Sequence, residues 1–425
     1  MPKLYKPVRT IIRRFELTGR KRKVCLISTG LREGNSRLQP WAYLSQVAVQ
    51  LQKLGHLVEC ISDGVGSRQD HAFLDGIPVW RLSSVTNPSW KPNYALQEAI
   101  HHIDPDIILL HMGTTSFLYQ EWKTIFKAQE RIAIAIFTSP VYAFRDLARL
   151  GIYRLSRGYR LSAVPLLGSL IPGSLLNRQI EKTGLHSLVV QTNHTRKMLI
   201  SKGLLNIPIE VIPPGIDAEW YQNDPVSQAV CRAALGFSPE DTVFGYFGSL
   251  ASLRGAETLL KAFSIAQPTR TQFKLVFLSR RRGMRPSREE IELEKAIARR
   301  ALHGPVKIVP GFLDRGKVRR MVEACDIVAL PFEMVPSDAP LSLLEAKALG
   351  KPLVTTESAC LPELAQGSRF YLAQPADPSS LAIQLRKAAN DLQNEYGRDP
   401  TCNVPAPIRS WPDVGTEWSR LIQSL

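Results

Sequence analysis

The segment Asp326 to Thr356, DIVALPFEMVPSDAPLSLLEAKALGKPLVTT, sets one acid and a row of backbone amides where a phosphate-bearing ligand could be held. Val328 to Phe332 is a continuous apolar run, the pattern of a parallel strand covered on both faces. Ser337 or Asp338 can cap the helix that follows, and Pro340 suits its first turn. Leu341, Leu344 and Ala348 share one face, and Gly350 with Pro352 ends the helix. The N–H groups of Leu341, Ser342 and Leu343 then stand unused at a helix N-terminus, a ready site for phosphate. Glu345 lies one turn in: either a ligand for hydroxyl groups or a solvated helix glutamate.

A second element, Thr242 to Ala266, runs from a strand through Gly245 and Gly248 into a short loop and a helix starting near Gly255. Leu259, Leu260 and Phe263 form its buried face. Arg254 sits at that N-terminus, beside a glycine that lets backbone approach a ligand. It reads as an anion-binding guanidinium or as a surface cation. A third element, Ser187 to Asp217, gives strand, capped helix, strand and a Pro-Pro-Gly turn.

Taken together, these residues resemble the retaining GT-B glycosyltransferases of family 4. The likeness runs from about Val24 to Leu425 and is strongest in the C-terminal half. It implies two Rossmann-like α/β domains facing across a donor-binding cleft. Residues 24–213 would form the acceptor domain, 214–407 the nucleotide-sugar domain, and 408–425 a C-terminal helix packing back on the first. By resemblance, a nucleotide-sugar diphosphate lies on Gly248, Ser249, Arg254, Ser337, Asp338, Leu341, Ser342 and Leu343, with Glu345 on the ribose. Arg254 replaces the family's lysine and Ser249 its arginine. Ser337 stands where an acid is usual, eight residues before Glu345, and Asp338 follows it. On the acceptor side the loop carries Gly30 and Gly34. His111 ends a strand where the family has a related histidine; it is a catalytic candidate or a histidine satisfied at a strand end. Ser139-Pro140 replaces another family histidine.

The implied reaction is sugar transfer with retention, protein-borne cations stabilising the leaving diphosphate without a metal or other cofactor. A non-catalytic relative binding a nucleotide sugar or lipid, and a nucleotide-sugar epimerase, are the alternatives.

The elements that must position these groups alternate between strand and helix patterns along 425 residues, enough for two cores at 44% hydrophobic composition. Strands are expected at Lys23–Thr29, His56–Ser62, Ile77–Leu82, Asp106–Met112, Ile132–Thr138, Leu188–Thr192 and Ile209–Ile212. The second set is Thr242–Phe247, Lys274–Leu278, Val306–Val309, Ile327–Phe332 and Pro352–Thr355. The six cysteines are scattered and no histidine pair has metal-ligand spacing, which favours a reducing, cytoplasmic compartment over a disulfide framework or a zinc site.

The formal charge is +16. Residues 1–23 hold nine Lys or Arg against Glu16, a net +8, with Leu4, Val8, Ile11, Ile12 and Phe15 at near-helical spacing. Residues 145–182 hold seven Lys or Arg against two acids, a net +5, around the apolar run Leu161 to Leu176. Two prolines and two glycines break that run, which is shorter than the ~20 residues a spanning helix needs. The pattern fits a peripheral contact with an anionic membrane surface, with a lipid-linked acceptor for polysaccharide or glycolipid biosynthesis. Its alternatives are a solvated tail and an ordinary insertion. Aromatic interleaving is thin and nucleic-acid motifs are missing, so nucleic acid is not an expected partner.

Overall fold

A computed structural model describes residues 21–36, 38–64, 71–85, 93–113, 131–204, 206–221, 225–267, 272–280, 285–302, 304–311, 315–366, 369–395 and 408–425. Most of the basic N-terminal stretch, residues 1–20, lies outside them, as do residues 281–284 of the basic loop after Ser279. The described strands form two sheets, of eight and six.

The first sheet contains β1 (Lys23–Ile27), β2 (Leu57–Asp63), β3 (His71–Leu74), β4 (Ile77–Leu82), β5 (Ile107–His111), β6 (Ile132–Ile136), β7 (Ser187–Val190) and β8 (Ile209–Val211). Its order is β3-β4-β2-β1-β5-β6-β7-β8, parallel except for the β3–β4 hairpin. The helices along this part of the chain are α1 (Trp41–Lys53), α2 (Tyr94–Ile103), α3 (Phe144–Ala148), α4 (Ile152–Arg157), α5 (Tyr159–Leu170), α6 (Gly173–Thr183) and α7 (Asn193–Ser201). Central strands such as β5 and β6 are almost wholly buried, as their Ile- and Leu-rich runs require.

The second sheet contains β9 (Thr242–Gly248), β10 (Phe273–Arg280), β11 (Val306–Gly311), β12 (Ile327–Ala329), β13 (Leu353–Thr356) and β14 (Phe370–Ala373), all parallel, in the order β11-β10-β9-β12-β13-β14. Its helices are α8 (Pro225–Ala234), α9 (Ala256–Ala266), α10 (Arg288–Arg299), α11 (Arg315–Glu323), α12 (Leu341–Ala348), α13 (Leu361–Leu364) and α14 (Pro378–Glu395). Last comes α15 (Trp411–Ser424), opened by a capping box between Ser410 and Asp413.

Helix α15 belongs to the core of the first sheet. Trp411, Val414, Trp418 and Ile422 pack with Val24, Leu26, Tyr43 and Val47. Trp418 Nε1 donates to Tyr43 Oη at 3.0 Å, and that hydroxyl donates to the Ile212 carbonyl at 2.9 Å. The chain thus crosses between the domains twice.

Two strands escape the sequence pattern. β3 is announced by the Asp75-Gly76 turn, both residues at positive φ, as in a two-residue hairpin. β14 is a four-residue edge strand, too short to stand out. β12 also ends earlier than its apolar run: Leu330 still donates to the Val354 carbonyl at 2.9 Å, and Pro331, lacking an N–H, stops the ladder.

In each sheet the chain turns from one side to the other at a central strand, between β1 and β5 and between β9 and β12. The carboxyl ends of such strands are where open α/β sheets bind ligands.

Candidate functional site

The carboxyl end of β9 is Gly248, where an added Cβ would meet open space. Ser249 folds inward: its hydroxyl accepts from the Ala251 amide at 3.2 Å and its carbonyl from Tyr246 Oη at 2.6 Å. Arg254 follows, half-buried, one residue before the α9 N-cap. That cap is Gly255, at φ 84, and a Cβ there would fall 1.9 Å from the Pro331 carbonyl oxygen, so only glycine allows this approach. The Leu253 carbonyl accepts from the amides of Glu333 and Met334, both at 3.0 Å. The loop after β9 and the loop after β12 are therefore one packed unit.

Helix α12 begins at the end of that unit. Its N-cap is Pro340, with no side-chain cap, which corrects the expectation that Ser337 or Asp338 would cap it. The Leu343 amide donates to the Pro340 carbonyl at 3.1 Å. Leu343 therefore drops out of the phosphate-binding set, and the amides ahead of it are those of Leu341 and Ser342. Glu345 is half-buried, and burial pushes its carboxyl up to about 7. Arg315 and Arg280 pull it down; Asp217 and Glu219 push it further up. Arg315 is itself paired with Asp217. Arg254 and Arg280 also both offset the rise of the buried Tyr246 hydroxyl, whose pKa is pushed up to about 12. One end of the second sheet thus gathers three arginines, two helix amides and one carboxyl of raised pKa. It can hold a diphosphate on the cations and amides and a pair of hydroxyls on the carboxyl. Among the described residues, no group of three or more His, Cys, Asp or Glu side chains could hold a metal ion.

Residues 241–391 match the family model of glycosyl transferases, group 1. The D-inositol 3-phosphate glycosyltransferase of Jonesia denitrificans is 28% identical over 216 residues, 49% of this chain and 50% of that protein. The amylovoran biosynthesis glycosyltransferase AmsK of Erwinia amylovora is 34% identical over 139 residues, 31% of this chain and 32% of that one. The chain thus spans half or less of the length of these relatives. Among solved structures, Anabaena HepE in complex with UDP superposes with TM-score 0.68 at 17% identity, over 95% of this chain and all of HepE. The fold is GT-B.

Its two domains are tied directly to each other at the loop that carries the site. Asp338 is completely buried, and both carboxylate oxygens are spent on the first domain. They accept from the Gln191 amide at 2.9 Å, Thr192 Oγ1 at 2.7 Å and Thr195 Oγ1 at 2.5 Å. Its amide donates to the Thr138 carbonyl at 2.7 Å. This withdraws Asp338 from the donor contacts: it ties the domains together instead. Burial pushes its carboxyl up to about 6, with the hydrogen bonds opposing. Three residues earlier, Tyr142 Oη accepts from the Val335 amide at 2.7 Å and donates to its carbonyl at 3.2 Å. Glu363 completes the contact, accepting from the amides of Asn193 and His194 at 2.9 and 2.6 Å. Two carboxylates of the second domain therefore occupy the N-terminal turn of α7, a helix of the first. Ser337 lies buried between these ties.

On the acceptor side, His111 has both ring nitrogens occupied, Nδ1 with Ser28 Oγ at 3.0 Å and Nε2 with Thr138 Oγ1 at 2.9 Å. Burial lowers its pKa to about 4, so the ring is neutral at physiological pH. Its neighbours hold it as a strand-end histidine, and a proton-transfer role would first need one of those bonds to break. Gly30 lies under the Trp41 ring and its amide meets the Asp63 carboxylate; Gly34 sits in a short 3-10 turn with open space at its Cα.

Neither the interdomain ties nor Arg280 and Arg315 stand out in the sequence as site groups. Arg280 ends β10, whose Ser279 is in register with Gly248, so sheet order alone would have placed it.

Proposed function

We propose that this chain is a retaining, metal-independent glycosyltransferase. It takes a sugar from a nucleotide-diphosphate donor and adds it to an acceptor at the cytoplasmic face of an anionic membrane, most simply a lipid-linked sugar or glycolipid. The observation that carries the reading is the platform at the ends of β9 and β12: Gly248, Arg254, the amides of Leu341 and Ser342, and Glu345, inside the stretch that matches group 1 glycosyl transferases. Anabaena HepE, of the same fold, is solved with UDP. In this reading Glu345 accepts from the ribose hydroxyls. The α12 amides and Arg254 meet the charge that grows on the departing diphosphate, which is where catalysis gains most. Protein-borne cations supply that charge. AmsK is by its name a glycosyltransferase of amylovoran biosynthesis, which supports a biosynthetic sugar transfer here.

A panel of UDP-, GDP- and ADP-sugars scored by thermal shift tests the donor. A ligand at one hundred times its dissociation constant should add about 2.7 kcal/mol of stability. Failure of every nucleotide sugar to bind would sink the reading. Anomeric NMR of the product tests retention. The second reading, nucleotide-sugar binding without transfer, rests on Ser337 standing where the family has an acid while Asp338 is committed to the first domain. Donor binding with no product on any lipid or glycan acceptor would favour it.

A further inference from the structure

The insertion between β6 and β7 has two unlike sides. Its outer side is apolar and uncovered: Ile152 is 87% exposed, Tyr153 72%, Val164 52%, Leu167 58% and Leu170 57%. Helix α5, YRLSAVPLLGSL, carries no charge beyond Arg160 and is mostly apolar, so its exposed leucines stand out. Exposed Arg145, Arg149 and Arg178 flank it in sequence, the first two sharing Asp146 at 3.6 and 3.8 Å and leaving a net positive charge. Among the described residues no helix is long and apolar enough to cross a membrane, and Pro165 interrupts this one. An exposed apolar face flanked by net positive charge complements the acyl boundary and anionic headgroups of a membrane surface.

The inner side lies on the donor loop. At the α4–α5 joint, Gly158 is buried so closely against Leu253 that a Cβ would come within 2.4 Å of its Cδ1. Leu155 and Leu166 pack with Leu253 and Met334. Arg154 Nη1 donates to Glu333 Oε1 at 2.7 Å, and Arg157 reaches Glu257 and Glu292 at 3.2 and 3.1 Å. Leu253 immediately precedes Arg254.

We propose that the outer face of α4–α5 is the surface that lies on an anionic membrane, and that this contact seats the helices on Leu253 and so sets Arg254 for the donor diphosphate. The proposal rests on the donor-site reading above and adds to it that the membrane acts as an activator. Coupling of this kind is reciprocal: whatever factor vesicles contribute to donor affinity, donor contributes to vesicle affinity.

The test measures dissociation constants of the full chain for the best nucleotide sugar of the panel. They are taken alone, with phosphatidylcholine vesicles, and with vesicles containing phosphatidylglycerol; flotation is measured with and without donor. The expected result is donor binding tightened about tenfold by the anionic vesicles only, within the usual range for coupled sites, with flotation strengthened by donor. The double variant L167E/L170E, two exposed positions, should lose flotation and the vesicle effect while keeping the vesicle-free donor affinity. Arg154→Ala should keep flotation and lose most of the vesicle effect. Equal donor affinity with and without bound anionic vesicles would overturn the coupling. Flotation unchanged in L167E/L170E would overturn the surface. So would a dimer, seen without flotation and abolished by that variant, since it would assign the face to a second copy. Failure of the donor-site reading looks different: no nucleotide sugar binds under any condition.

Discussion

Donor affinity should depend on pH through Glu345. Its carboxyl is poised at about 7 because burial outweighs the pull of Arg315 and Arg280. The sign follows from this direction. A raised carboxyl stabilises the donor-free fold below its unfolded value of 4.5, and that contribution is lost as pH rises through about 7. Ribose hydroxyls need the ionised form as acceptor, so binding draws the group to its charged state and releases a proton. With a midpoint of about 7, about one tenth of the free protein is ionised at pH 6 and about nine tenths at pH 8. If only the ionised form binds, apparent affinity improves about tenfold between those two pH values. Calorimetry with an intact nucleotide sugar is the assay, because its pyrophosphate keeps the same charge over this range, whereas a free nucleoside diphosphate does not. Repeating it in buffers of different ionisation enthalpy counts the released proton. Glu345→Gln should remove the pH dependence and leave affinity about 1–3 kcal/mol weaker at pH 8. A flat wild-type affinity from pH 6 to 8, or a slope that survives in the glutamine variant, would refute the ribose assignment.

Three further outcomes are expected. Arg254→Ala should lower kcat more than it raises the donor KM, with Arg254→Lys recovering part of the loss; equal turnover in wild type and alanine variant would make Arg254 a bystander. Asp338, raised from 3.8 to about 6, costs the tied arrangement stability as pH rises through 6. Wild type should therefore gain about 1.4 kcal/mol between pH 7.5 and 5 relative to Asp338→Asn, read by urea denaturation at the two pH values, and parallel curves for the two proteins would contradict it. Removing residues 1–20 should weaken flotation on anionic vesicles, more so at low salt, while calorimetry shows donor affinity unchanged.

The two-domain α/β fold was legible because buried parallel strands write themselves as apolar runs and helix ends as Pro and Gly. Pro340 and Gly350 bracket α12 in the structure as in the sequence. The elements under the platform were legible for the same reason: each of its two halves, after β9 and after β12, is one contiguous strand, loop and helix. What could not be read was the fate of a side chain whose partners are distant in sequence. Asp338 follows the serine that replaces an expected acid, and its own sequence neighbours suggest a cap or a donor contact. Its ligands are 143 to 147 residues away, on a strand end and helix turn of the other domain. Arg154 is likewise 179 residues from Glu333. A basic insertion shows its charge in the sequence but not which of its arginines are spent on the protein.

The distribution of these ties has a consequence for how the site works. Four contacts from the first domain converge on the short run Glu333 to Asp338: Arg154 on Glu333, Tyr142 on Val335, Thr138 on the Asp338 amide, and the Gln191–Thr195 turn on its carboxylate. Helix α12, with the amides of Leu341 and Ser342, starts only a few residues later. Any rotation that separated the domains would have to expose a buried carboxylate and free the N-terminal amides of α7, each a cost of about 1–3 kcal/mol unless water replaces the bonds. It would also release the loop that aims the platform. If the platform holds the donor as proposed, donor geometry and domain arrangement are one equilibrium in this chain. A variant that loosens the ties without touching the platform, such as Thr195→Val, should weaken donor binding even though its side chain lies in the other domain. If Thr195→Val kept full donor affinity while measurably lowering stability, the ties would be structural support only.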